Sequence, residues 1–250
     1  WHRAHLAGEP VSDADTGRDA PTRIIARELG LEPHTTLSVA CISGTAVLAI
    51  AEGWLRDGLC DRVVATGLDA LSQYVHAGFS GLGALASDLP RPFTDERDGL
   101  VLGEGAAALL LEPGTGPIEL LGTGLSADAV HMTAPDRNAG GAVRAALRAL
   151  GENDVHTVSV HGTGTRFNDA MEQVALDALF PSPPPIQLVK RGIGHTMGAA
   201  GAVEAAVAWA TLRDQPGAML SMSSAFGGMN ASAVLGQGTP VRSPARQVHT

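Results

Sequence analysis

Two stretches of this chain run through the same order of elements, and that repeat narrows the possible folds more than any other feature. In the first stretch, an apolar run at residues 37–40 reads as a buried strand. It stops at Cys41, and residues 45–55 follow with the apolar period of a helix. Residues 62–69 read as a second strand. A long connection over 70–99 holds one short helix, and 105–112 is a third strand. In the second stretch, 186–189 reads as a strand and leads through Lys190 to His195. An Ala-rich helix follows at 199–212, then strands at 218–225 and 231–235 around Gly227 and Gly228. A plan that occurs twice implies an internal duplication. Alternating strands and helices imply an α/β fold with helices packed on largely buried sheets.

The remaining segments fit that plan. Residues 21–30 predict a short helix stopped by Gly30. Residues 118–125 predict a strand, 139–150 a helix, 157–161 a buried strand and 169–180 an amphipathic helix. We therefore expect one domain over 1–250. Its first half spans about 20–113, its second about 117–237, and a loose tail covers 238–250.

Composition excludes several function classes. The net charge of -9 argues against non-specific nucleic-acid binding. No apolar run is long enough to span a bilayer, and no charged-then-apolar leader opens the chain, so the cytoplasm is the expected compartment. Cys41 and Cys60 are the two cysteines, too few for a disulfide framework. Of 17 basic residues only Lys190 is lysine. Arginine does not replace lysine where a compact ammonium is needed.

Four stretches have the residue types for chemistry. Cys41 stands where a strand turns into a helix. The free N–H groups and the dipole of a helix N-terminus favour a thiolate, the nucleophilic form of cysteine. A buried, inert cysteine is the alternative. His161-Gly-Thr-Gly-Thr165 puts a histidine at the C-terminal end of a strand, where α/β sheets hold ligands. His195 opens an Ala-rich helix with Lys190 five residues upstream. Phe226-Gly-Gly-Met-Asn230 is a tight turn whose N–H groups suit an anion. No His or Cys pair has metal-ligand spacing, so no metal is expected.

Several motifs, in order, resemble the β-ketoacyl synthases of fatty-acid and polyketide synthesis, which have the thiolase fold. They are Ser38-Val-Ala-Cys-Ile-Ser-Gly44, the run from Arg91 to Gly105, the run from Ser126 to Pro135, His161 to Thr165 with Asp169 and Glu172, Lys190 to Gly201, and Phe226 to Asn230. The resemblance implies a layered α/β/α/β/α arrangement of duplicated halves. Two histidines, rather than His and Asn, resemble the elongating enzymes. By the resemblance, Cys41 takes an acyl chain from a carrier-protein thioester, and His161 and His195 hold the malonyl thioester carbonyl. The N–H groups of Cys41 and Phe226 form an oxyanion hole, and Phe226 also gates the site. Lys190 with Glu204 supports the second histidine, Asp169 and Glu172 are further support, and Thr163 and Thr165 contact pantetheine. No cofactor is implied beyond the phosphopantetheine of an acyl carrier protein.

The chain also departs from the pattern. Strand–helix units that precede the nucleophile in the family have almost no room here, so the first half is expected to be incomplete. Ser224-Ala225 stands where Phe-Gly is usual, and Arg166 replaces a common Pro. The resemblance leaves two functions open, an active condensing enzyme or a non-catalytic chain-length-factor-like subunit. It implies a homodimer, or a heterodimer with a second synthase-like chain, with Thr36 to Ala40 at the interface.

Overall fold

The computed structural model describes residue 17 and residues 19–237; the expected loose tail from 238 lies outside them. The chain divides into two compact units, Trp1–Ser38 and Val39–Thr250. In the smaller unit, helix α1 (Ala20–Leu29) has Pro21 in its first turn and ends at Gly30. Gly30 adopts φ 64°, a left-handed conformation that suits glycine at a helix C-terminus.

The larger unit repeats one motif twice. Helix α2 (Ser43–Arg56) leads to strand β1 (Val63–Asp69). Helix α3 (Gln73–Gly81), the one helix of the long connection, precedes strand β2 (Gly105–Leu111). β1 and β2 form an antiparallel two-stranded sheet with Val64 opposite Leu110. The second half holds β3 (Glu119–Ala127), α4 (Gly140–Leu150), β4 (Thr157–Ser159), α5 (Arg166–Leu179) and β5 (Ile186–Gln187). It continues through the short α6 (Lys190–Ile193) and a 3₁₀ turn (Met197–Ala199). Helix α7 (Ala200–Asp214) and strands β6 (Ala218–Ala225) and β7 (Met229–Gly236) complete it. Its sheet has the order β3-β7-β6-β4-β5, parallel where β4 meets β5 and β6 and antiparallel elsewhere.

Layering follows from where the small residues fall. Helices α4 and α5 place Ala142, Ala146, Met171 and Ala175 against Val158, Leu220 and Val234 on one face of the larger sheet. Helices α2 and α7 lie between the sheets. Their Leu48, Ala51, Ala205 and Ala208 pack with Ala65 of β1 and with Met219 and Ala233 of the larger sheet. The two inner helices touch closely because Gly44 has no side chain. A Cβ there would lie 2.5 Å from the Ala202 nitrogen. The outer face of the small sheet is open. Leu68 is 41% and Leu110 59% exposed, and no described helix covers them. The thiolase-like α/β plan is present, and among the described residues its first sheet has two strands.

Local differences from expectation are informative. Among the described residues, 37–40 join neither sheet: β1 pairs only with β2, and Ala40 turns to φ 51°, which breaks an extended run. β4 ends at Ser159, so His161 lies just beyond the strand. α5 starts at Arg166, three residues before the expected Asp169, because Thr165 is still extended at ψ 140°. No helix among the described residues is long and apolar enough to cross a membrane.

Candidate active site

Cys41 is buried in a tight bend between Val39 and the first turn of α2. Ser43 holds the bend. Its Oγ accepts the Val39 N–H at 2.9 Å and donates to the Ala40 carbonyl at 2.6 Å. The left-handed Ala40 is a strained alanine conformation, of the kind that concentrates at functional sites. From the other side, Asp69 at the end of β1 accepts the Gly198 N–H at 3.0 Å. A Cβ on Gly198 would meet Asp69 at 3.2 Å and both Ala40 and Ser43 at 3.8 Å. The Cys41 bend, the end of β1 and the turn before α7 therefore meet at one point.

His161 is positioned through its backbone. Glu172 on α5 accepts the His161 N–H at 2.5 Å with one oxygen and the Gly162 N–H at 2.7 Å with the other. Asn168 donates to the same carboxylate at 2.8 Å. Three donors favour the anion, but burial dominates and raises Glu172 from 4.5 to about 7. Asp169 accepts from Gly164 N–H at 3.2 Å and Phe93 N–H at 2.8 Å. It thereby ties the His161 loop to the segment that starts at Arg91. Thr163 and Thr165 share a hydroxyl hydrogen bond of 2.9 Å in that loop.

His195 is held between backbone groups. Its N–H donates to Val101 at 2.7 Å, and its carbonyl accepts from Gly103 at 3.0 Å. Its ring meets that of His161 edge to face, with centroids 5.1 Å apart. Burial pushes both imidazoles well below their ordinary value, and the Lys190 charge pushes the same way. Both rings are therefore neutral, each with one N–H to donate. Lys190 forms a buried ion pair with Glu204 on α7. Burial raises Glu204, and Lys190 opposes that shift.

One correction concerns Cys41. The expected thiolate is not the resting state, because burial raises the thiol from 9.0 to about 11. The lysine charge lowers it, but by less than burial raises it. A helix terminus offers a small, local stabilisation, whereas full desolvation of a thiolate is large. Lys190 acts on Cys41, His161 and His195 alike, so these four expected residues are brought together. Phe226 sits at the β6–β7 turn, 44% exposed, and stacks on Phe79 of α3 with centroids 5.8 Å apart. Asp69, Ser43 and Phe79 were not among the expected site residues. Asp69 did carry a signal, since it ends a predicted strand on the side where Cys41 begins its helix.

Comparison with known proteins identifies the family and the fold. The family model for the β-ketoacyl synthase N-terminal domain matches residues 11–115, and that for the C-terminal domain matches 118–218. The chain is 34% identical over 217 residues to 3-oxoacyl-[acyl-carrier-protein] synthase 2 of Mycobacterium leprae, covering 76% of this chain and 52% of that protein. It is 37% identical over 196 residues to nodulation protein E of Rhizobium meliloti, covering 72% and 49%. The chain thus spans about half the length of the curated relatives it matches. Among solved structures, it matches a ketosynthase in complex with its chain length factor from Xenorhabdus doucetiae. There the TM-score is 0.89 at 31% identity, over 95% of this chain and 71% of that one. With both domain models matched in order and the fold shared, the chain belongs to the β-ketoacyl synthase family.

Proposed function

We propose that this chain carries out the decarboxylative Claisen condensation of fatty-acid or polyketide synthesis, as an acyltransferase of the 3-oxoacyl-[acyl-carrier-protein] synthase type. The observation that carries the reading is the single buried cluster in which His161 and His195 lie edge to face and share the field of Lys190 with Cys41. The Cys41 sulfur attacks an acyl thioester, and its proton leaves with the departing carrier thiol. Malonyl thioester then binds with its carbonyl oxygen at the two histidines. Loss of carbon dioxide puts charge on that oxygen, and neutral imidazole N–H donors stabilise it. The enolate carbon attacks the acyl-Cys41 carbonyl, giving a 3-oxoacyl thioester and expelling the Cys41 sulfur. The backbone N–H groups of Cys41 and Phe226 serve the tetrahedral oxyanion, Phe226 gates the acyl chain, and Thr163 and Thr165 hold the pantetheine arm.

The substrates ride on the phosphopantetheine of an acyl carrier protein in the cytoplasm. The working form is a homodimer, or a heterodimer with a second ketosynthase-like chain; the open β1–β2 face supports a need for a partner. A chain-length-factor-like role is the weaker reading, since such subunits typically lose the cysteine that stands here as Cys41.

Intact-protein mass after incubation with an acyl-carrier thioester tests the first step. An acyl adduct mapped to Cys41, absent in Cys41→Ala, is expected. An adduct on Cys60, or none, overturns the enzyme assignment. Release of labelled carbon dioxide from malonyl thioester tests the second step. His161→Ala and His195→Ala should each lose release by a factor on the order of 10² or more.

A further inference from the structure

The β1–β2 hairpin grips the candidate site at one end. Asp69 is the last residue of β1 and lies opposite Gly105, the first residue of β2. Glu104 ties the two ends again, since its carboxylate accepts the Leu71 N–H at 3.1 Å. Residues 101–103 lead into β2 and hold the His195 backbone, through the Val101 carbonyl and the Gly103 N–H. Asp69 holds the other side of the same turn. Its carboxylate accepts the Gly198 N–H at 3.0 Å, three residues beyond His195. The His195 turn is therefore held at two points by one end of one hairpin.

That turn lies directly against the Cys41 bend. A Cβ on Gly198 would meet Asp69 at 3.2 Å, and Ser43 and the Ala40 carbonyl at 3.8 Å. Around it the backbones already touch. A Cβ on Gly44 of α2 would lie 3.0 Å from the Gly198 carbonyl, and one on Gly67 of β1 would lie 3.3 Å from the Ala199 Cα. Both facing segments are strained: Met197 has φ 48° and Ala40 has φ 51°. Such conformations persist only where the surroundings impose them. Strand β1 packs on α2, the helix that Cys41 leads into, so Asp69 fixes Gly198 relative to the nucleophile. The charge of this half-buried carboxylate also reaches the Cys41 thiol.

A brace at this joint bears on one step of the reaction more than on the others. Acylation engages Cys41, and decarboxylation engages the malonyl group at the histidines. Carbon–carbon bond formation needs both at once, with the enolate carbon about 3–3.5 Å from the acyl carbonyl. In the coupled step the enolate pair forms the new carbon–carbon bond. The bond from the acyl carbon to the Cys41 sulfur breaks with its pair on sulfur. Held too far away, the enolate takes a proton from water instead and leaves as an acetyl thioester.

We propose that Asp69 is a positioning residue for the condensation step: by holding Gly198 it sets the separation of the Cys41 bend from the His195 turn, and so couples loss of carbon dioxide to carbon–carbon bond formation; the role rests on the condensing reading above.

The test uses the full chain with an acyl-carrier thioester and a malonyl-carrier thioester labelled in its carboxylate. The wild type should give carbon dioxide and 3-oxoacyl thioester in equal amounts. Asp69→Ala should keep Cys41 acylation and carbon dioxide release, while condensation falls on the order of 10²-fold and acetyl thioester accumulates in its place. Asp69→Asn, whose amide oxygen accepts the same N–H, should restore equal yields. A general loss of structure would lower both products together and leave their ratio unchanged. Equal yields in Asp69→Ala therefore overturn the proposal, and so does a failure of Asp69→Asn to restore them. If Asp69→Ala does not fold, Gly198→Ala decides by the same ratio, because its Cβ would press on the Asp69 carboxylate from across the joint. If the wild type makes no 3-oxoacyl thioester, the condensing reading itself fails and takes this inference with it.

Discussion

The two halves of the larger unit place the same hairpin in different surroundings. In the second half, β6 and β7 have β4 and β3 at their edges and α4 and α5 on their outer face. In the first half, β1 and β2 pair only with each other among the described residues, and their outer face is open. Yet both hairpins pack their inner face on α2 and α7. The candidate site residues hang on that inner layer: Cys41 leads into α2, Glu204 lies on α7, and His195 precedes it. An open outer face on the first hairpin therefore leaves the candidate site assembled.

The largest expected effect comes from the polar load carried by the second half. Lys190→Met leaves Glu204 buried without its cation and should cost about 3–5 kcal/mol of stability, read from urea unfolding. A loss below about 1 kcal/mol would mean that the pair is wetter than its burial implies. Next comes a direct contrast between the hairpins. Leu220 and Val234 face one another across β6 and β7, as Val64 and Leu110 do across β1 and β2. Leu220→Ala should cost about 2–5 kcal/mol. Leu110→Ala on the open face should stay within about 0.5 kcal/mol. Equal costs would show that something covers the first hairpin in solution.

Two pH dependences sharpen the comparison at smaller amplitude. With its thiol raised to about 11, Cys41 should alkylate with iodoacetamide about tenfold faster for each pH unit from 7 to 10. A plateau near pH 8 would place the cysteine in a more hydrated site. Glu172 is raised from 4.5 to about 7, so the folded chain binds its proton more tightly than the unfolded chain. That contribution is complete below pH 4.5 and is lost as pH rises through about 7. Unfolding midpoints between pH 5 and 8 should fall with pH by this contribution, and Glu172→Gln should flatten it. An unchanged slope in the variant would assign the dependence to another group.

The amino-acid sequence by itself determined the α/β class and the duplicated order of elements, and it singled out Cys41, His161, His195 and Lys190, which the fold brings together. These follow from local signals: apolar periods of two and 3.6, glycine at turns, and rare residue types placed where strands end. Only the tertiary structure decided the protonation of those residues and the grip on them. Whether Cys41 rests as thiol or thiolate depends on how much protein surrounds it, and burial outweighed the helix terminus that the sequence displayed. That Glu172 holds His161 through its backbone, and that Asp69 braces Gly198 across 129 residues, depends on contacts between distant segments. The strand expected at 37–40 failed for the same reason, since a strand exists only through the neighbours it pairs with.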